Sequence, residues 1–162
     1  MGEYLFEAKL DREIKYVREF YQAMGHYLKT VGGFYKFCRA AVNNYGSKKV
    51  DQYVLDVLSV FGKKLKALGR DYAVIKELAK EEKLTVRKRK KIRVILRNFF
   101  LYYEPLYFEF WSKRIVKALR ENIGRDLGFD EKIAVKSILK TGENAAKKAE
   151  KLWKVIAKET SI

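Results

Sequence analysis

The stretch FEAKLDREIKYVREFYQAMGHYLKTV, running from Phe6 to Val31, decides the fold class. Its apolar residues Phe6, Leu10, Ile14, Val17, Tyr21, Met24, Leu28 and Val31 recur every three or four positions. That spacing gathers them on one side of a helix of about 3.6 residues per turn and scatters them in a strand. The stretch therefore predicts one amphipathic helix of about seven turns. No stretch of the chain alternates apolar and polar residues strictly enough to predict a strand.

Working outward, Gly32-Gly33 ends or kinks this helix, and a shorter one follows over 34–45, closed by Gly46. Ser47 suits the N-cap of the next, on which Val50, Val54, Val57, Phe61, Leu65 and Leu68 share a face and Gly69 reads as the stop. Asp71 can cap a helix to about Glu82 that carries Ile75, Leu78 and Ala79. Thr85 can cap another to about Glu104. The single proline, Pro105, suits a helical first turn. The helix it starts carries Leu106, Phe110, Ile115 and Leu119 to Gly124. After Leu127 and Phe129, Asp130 caps a helix with Ile133, Ile138 and Leu139. Thr141-Gly142 breaks it, and a last helix over 143–158 carries Ala145, Ala149, Leu152 and Ile156. The expectation is an all-α, compact multi-helix bundle of about seven to eight helices without significant sheet. It forms one domain over 1–162, or one domain with a C-terminal helical appendage over 130–162.

Of 162 residues, 48% are hydrophobic and 35% charged, which excludes both a disordered chain and a membrane-embedded one. No uncharged run is long enough to span a bilayer, so no membrane partner is expected. Acids begin at Glu3 and no apolar signal core follows. The one cysteine, Cys38, leaves no internal disulfide to form, so the expected location is a reducing, cytoplasmic one, or a virion if the protein packages a genome. Few Gln and Cys beside many Lys, Arg and Glu is the composition associated with hyperthermophiles, here of an archaeal or viral kind. Thermophily accounts for many charges but not for their imbalance. The net charge is +16, which makes a polyanion the leading partner.

Half of that excess lies in residues 83–97, which hold eight bases and no acid. Thr85-Val86-Arg87-Lys88-Arg89-Lys90-Lys91-Ile92-Arg93 places five consecutive cations in the first turns of a predicted helix. A helix N-terminus carries partial positive charge, so cations there repel both it and one another. Phosphates would remove both penalties by pairing with the side chains and accepting from free backbone N–H groups. The expected nucleic-acid contacts are Arg87, Lys88, Arg89, Lys90, Lys91, Arg93 and Arg97, with Lys48 and Lys49 as a second set. A solvated basic turn is the plainer alternative.

Leu78, Ala79, Leu84, Thr85 and Ile92 are similar to the core of the helix-turn-helix of DNA-binding proteins. Lys83 replaces its glycine, and Arg89 stands where an apolar residue should pack. The resemblance implies that Arg87, Lys88 and Arg89 face the major groove or its phosphates. Buried instead, Arg89 would need a partner. Arg93-Val94-Ile95-Leu96-Arg97-Asn98-Phe99-Phe100 also resembles the sliding-clamp-binding box, with Arg93 in place of its glutamine.

From Phe99 to Trp111, eight of thirteen residues are aromatic. They cannot all face one stripe. Tyr102, Tyr103, Tyr107 and Trp111 are the candidates for base stacking or for a homo-oligomer interface, with core packing as the plainer reading. The one histidine, His26, has no evident Cys or His companion, so neither a metal nor a cofactor is expected. A base–nucleophile pair of His26 with Cys38 is conceivable in principle. Glu77 and Glu81 sit at ion-pair spacing beside Lys76 and Lys80. The sequence thus points to a non-enzymatic nucleic-acid-binding protein, DNA rather than RNA. The alternatives are a self-assembling DNA-packaging protein and a helical scaffold subunit of a nucleoprotein complex.

Overall fold

The structure is a computed structural model. It describes the backbone of residues 2–45, 52–123 and 131–160, and the side chains of residues 12–44, 52–121 and 132–157. The described residues form five helices and no strand: α1 (Gly2–Tyr45), α2 (Gln52–Leu78), α3 (Val86–Tyr102), α4 (Pro105–Ile123) and α5 (Glu131–Thr160). The class is all-α, as the periodicity predicts, but the helices are fewer and longer.

The difference has one cause. Gly32-Gly33, Gly69 and Thr141-Gly142 do not break their helices; α1, α2 and α5 run through them. An interior glycine costs only about 0.5–1 kcal/mol relative to alanine, and packing on either side outweighs that. Asp71, expected as a cap, lies inside α2 for the same reason. Gly142 is a packing device. A Cβ there would lie 2.6 Å from the Cβ of Pro105 and 2.9 Å from Cε1 of Tyr27. Its bare backbone lets the start of α4 and the ring of Tyr27 press against α5. Helix starts were more legible: Thr85 is the N-cap of α3 and Pro105 is the first residue of α4.

α1 is the spine. It packs most extensively on α5, then on α2, and also meets α4; α5 in turn packs on α4 and α3. With neighbours on several sides, α1 buries a broader face than its predicted stripe. Ile14, Val17, Met24 and Val31 are buried as expected, and so are Phe20, Tyr27, Phe34 and Cys38. The side chains of Phe6 and Leu10 lie outside the described residues.

Much of the aromatic block is core. Phe99, Tyr103 and Phe108 are buried. Phe99 sets its ring edge-to-face against Phe20 (5.6 Å) and Tyr27 (6.0 Å), while Phe108 meets Tyr27 (5.9 Å) and Phe61 (4.9 Å). Such edge-to-face pairs add about 0.5–1.5 kcal/mol beyond the area they bury. The Tyr27 hydroxyl donates to the carbonyl of Tyr103 (3.0 Å), satisfying a buried acceptor where α3 gives way to α4. Lys64 of α2 holds the same corner from the other side. Its Nζ donates to the Tyr102 carbonyl (3.3 Å) and lies 3.7 Å above the Tyr107 ring. A cation at a helix C-terminus opposes the negative end of its dipole.

Two expected core faces turn out differently. On α4 the buried set is Phe108, Ser112, Ile115, Val116 and Leu119, while Leu106 and Phe110 are exposed. On α5, Ile138, Ala145, Ala149, Leu152 and Ile156 are fully buried, but Ile133 is exposed.

The close approach at Gly142 predicts an inversion of the usual glycine rule. Gly142→Ala should lower unfolding stability by about 1–3 kcal/mol through overpacking. Gly69→Ala, whose new methyl meets nothing within 4 Å, should raise it by about 0.5–1 kcal/mol. Urea denaturation of the two variants checks this, and equal effects would contradict the packing role.

Candidate nucleic-acid interface

The basic helix α3 has a well-defined start. The Thr85 side chain accepts from the backbone N–H of Lys88 (3.2 Å), and Leu84 just before it is buried. Arg18 of α1 braces the preceding turn, with Nε donating to the Ala79 carbonyl (3.0 Å) and Nη2 to that of Glu81 (3.4 Å). These contacts fix where the cationic run begins and how it is oriented.

They also divide the cations into two groups. Arg89 points inward. Its Nη2 and Nε each lie 3.2 Å from Oε2 of Glu13 on α1. The Arg89 side chain is 13% exposed and that of Glu13 is 1% exposed. This is the partner that a buried arginine requires. Lys88 pairs with Glu81 at 2.8 Å, and the guanidinium of Arg93 lies 5.7 Å from the centre of the Trp153 ring on α5. Three of the expected phosphate contacts are thus engaged within the protein.

Arg87, Lys90, Lys91 and Arg97 are exposed and have no ion-pair or hydrogen-bond partner among the described residues. Positions 87, 90, 94, 97 and 101 step by three or four, so Arg87, Lys90, Val94, Arg97 and Leu101 form one outward stripe, with Lys91 at its flank. Arg87 to Arg97 covers about 15 Å of helix axis at 1.5 Å per residue. That is the length of roughly four phosphates of one strand of a duplex. No acid stands in the first turn of α3. Lys48 and Lys49 lie outside the described residues.

The approach to α3 departs from the helix-turn-helix pattern. Seven residues separate Leu78 from Val86, against the three or four of that motif, and the preceding helix is 27 residues long. Lys88 and Arg89, which the resemblance would place on DNA, are held by Glu81 and Glu13. In the clamp-like box, Leu96 and Phe99 are buried in the core.

Among the four aromatic candidates, Tyr102 is 55% exposed, Tyr103 is buried, and Tyr107 and Trp111 are half-buried. Trp111 packs beside Tyr53 (6.3 Å) and Phe110 (5.3 Å). Sequence reasoning missed the exposed apolar residues Leu101, Leu106 and Phe110. The Phe110 ring lies 4.6 Å from the guanidinium carbon of Arg114. A signal was present: Phe108, Ser112, Ile115 and Leu119 also step by three or four. Ser112 hid it, because it is fully buried, with its hydroxyl donating to the Phe108 carbonyl.

Burial governs the titration of the interior phenols. It drives the Tyr27 phenol far above the ordinary tyrosine value. The Tyr103 phenol is pushed up to about 12 by burial, with the Asp71 carboxylate adding to the shift. Tyr72 is raised to about 12 for a different reason: first its hydrogen bond with Tyr21, on which its ring is stacked (5.1 Å), and then burial. Asp71 is itself raised by burial, although its bond to Asn98 opposes the shift. None of these groups forms a catalytic constellation with a histidine. His26 is exposed, and buried Cys38 lies twelve residues further along the same helix, about 18 Å away along its axis. Among the described residues no three His, Cys, Asp or Glu side chains cluster as metal ligands, and no helix is long and apolar enough to cross a membrane.

Comparison with protein-family models, with curated proteins and with solved structures finds no match to this chain.

The Glu13–Arg89 pair sets up a double-mutant test. Glu13→Leu leaves the largely buried guanidinium without its carboxylate and should cost about 3–5 kcal/mol. Glu13→Leu combined with Arg89→Met removes both charges and should recover most of that loss. Urea unfolding of the single and double variants measures the difference; additive losses would contradict a buried pair.

The phenols predict a loss of stability at alkaline pH. Because Tyr72 and Tyr103 hold their protons to about 12 when folded, against 10.0 for an ordinary tyrosine, their neutral forms favour the fold fully below pH 10. That contribution is lost as pH rises from 10 to 12. Ultraviolet absorbance at pH 11 should show less phenolate in the folded protein than in the same protein in urea.

Proposed function

We propose that this chain is a non-enzymatic nucleic-acid-binding protein, directed to DNA, that holds phosphates through the outward face of α3. One observation carries the reading: Arg87, Lys90, Lys91 and Arg97 stand exposed and unpaired on one side of a helix whose first turn has no compensating acid. Four free cations on one helix face, with Arg87 in the positively polarised first turn, repel one another in isolation and are favourable against a polyanion. The chain's net charge of +16 points the same way.

The recognition is of backbone rather than sequence. The stripe interleaves cations with Val94 and Leu101, and the approach to α3 lacks the short turn of the helix-turn-helix that seats a recognition helix in the major groove. Affinity on this reading is electrostatic and falls steeply with salt.

A second reading, a self-assembling DNA-packaging protein, is favoured by a different observation. Leu101, Tyr102, Leu106 and Phe110 are all more than 45% exposed around the corner between α3 and α4. Apolar residues at this exposure suit contact between copies of the chain.

Replacing Arg87, Lys90, Lys91 and Arg97 with Gln tests the first reading. Fluorescence anisotropy over a salt series should show weaker duplex binding and a slope of log affinity against log salt reduced by about three to four. Lys88→Gln, which removes a cation already paired with Glu81, should change that slope little. Unchanged affinity of the fourfold variant for both duplex and single strands at low salt would falsify the proposal.

A further inference from the structure

α1 and α2 line an open cleft of about 420 Å³. Lys64 reaches from α2 to the corner of α3 and α4, while its neighbours Lys63 and Lys66 rim the cleft. Arg39 on α1 faces them across the opening. No acidic residue is among the described residues that line it. Arg39, Lys63 and Lys66 have no ion-pair partner among the described residues.

The cleft also holds a donor in place. Tyr35 is half-buried, and its hydroxyl has no hydrogen-bond partner among the described residues. The ring lies against Gly62, where a Cβ would sit 2.7 Å from the Tyr35 hydroxyl oxygen. Glycine at this position is what lets the phenol lie against α2. Ser59 adds a second hydroxyl one turn earlier on α2. Three unpaired cations and two hydroxyls around a concave space, without an acid, form a site of one electrostatic sign.

We propose that this cleft is a second binding site, separate from α3, for a small molecule carrying a di- or triphosphate chain, of the nucleotide class. Arg39 offers a planar fork that matches two phosphate oxygens, and the lysines act as point charges on the same chain. Tyr35 donates to one further oxygen. A volume of about 420 Å³ is within the usual range of small-ligand sites. A chain of linked phosphates uses all three cations together, whereas a single phosphate uses one or two. This site does not depend on the nucleic-acid reading of α3.

Isothermal titration calorimetry with inorganic tripolyphosphate, ATP and orthophosphate tests the proposal. Tripolyphosphate and ATP should bind with one-to-one stoichiometry, and orthophosphate much more weakly. Replacing Arg39, Lys63 and Lys66 with Gln should lower the affinity for both at least tenfold. Tyr35→Phe, which keeps the ring and every charge, should lower it several-fold. Replacing Arg87, Lys90 and Arg97 with Gln should leave it unchanged. Circular dichroism establishes that each variant is folded, and Arg39→Gln alone serves if the triple variant is not. The proposal is overturned by an absence of saturable binding, or by equal weakening from the cleft and α3 variants, which would mark diffuse attraction. It is equally overturned if the cleft variant weakens duplex binding while no free phosphate compound binds, because the occupant would then be the polymer.

Discussion

The pair between Glu13 and Arg89 sets how the basic helix sits. Arg89 is the third of five consecutive cations, and it is the one turned into the protein. Its hold on α1 matches the way α3 packs on α5 and α2. Ile92, Ile95, Leu96 and Phe99 then face the core, and Arg87, Lys90 and Arg97 face solvent. A buried ion pair contributes little net stability over an apolar pair of the same shape. Arg89 lies on the same side of α3 as Ile92, Leu96 and Phe99, so the pair and the apolar face agree on one rotation of the helix.

The surroundings reinforce that choice. Arg18, one turn and a half along α1 from Glu13, binds the carbonyls at the end of α2 and so fixes the approach to α3. Thr85 caps the helix start. At the other end, Tyr27 and Lys64 hold the carbonyls of Tyr103 and Tyr102. Both ends of α3 are therefore gripped by side chains from α1 and α2. The α3 stripe is thus anchored at both ends by contacts within the protein.

The sequence made some of this legible and hid the rest for identifiable reasons. Apolar spacing identified the helical class, and Thr85 and Pro105 marked two helix starts, because capping and the proline ring act locally. Gly32-Gly33, Gly69 and Gly142 misled, because a glycine's local cost is small beside the packing that carries a helix through it. The role of Gly142 depends on Pro105 and Tyr27, which are distant in sequence. The cation cluster was visible as charge, but its division was not. That Arg89 sits at the edge of the buried face could be counted from Ile92 and Ile95; that Glu13 would meet it, 76 residues away, could not. The cleft at Arg39, Lys63 and Lys66 was likewise invisible, because α1 and α2 each supply only part of it.

Residue-resolved mapping of the complex tests the central claim most directly. Backbone amide chemical shifts of the protein, followed while a short duplex DNA is added at low salt, report which face meets the phosphates. The account predicts shifts concentrated at Arg87, Lys90, Lys91, Val94, Arg97 and Leu101, with the interior of α1 around Glu13 and Tyr27 unmoved. Shifts clustered on another helix, or no change across α3 while DNA is bound, would contradict it.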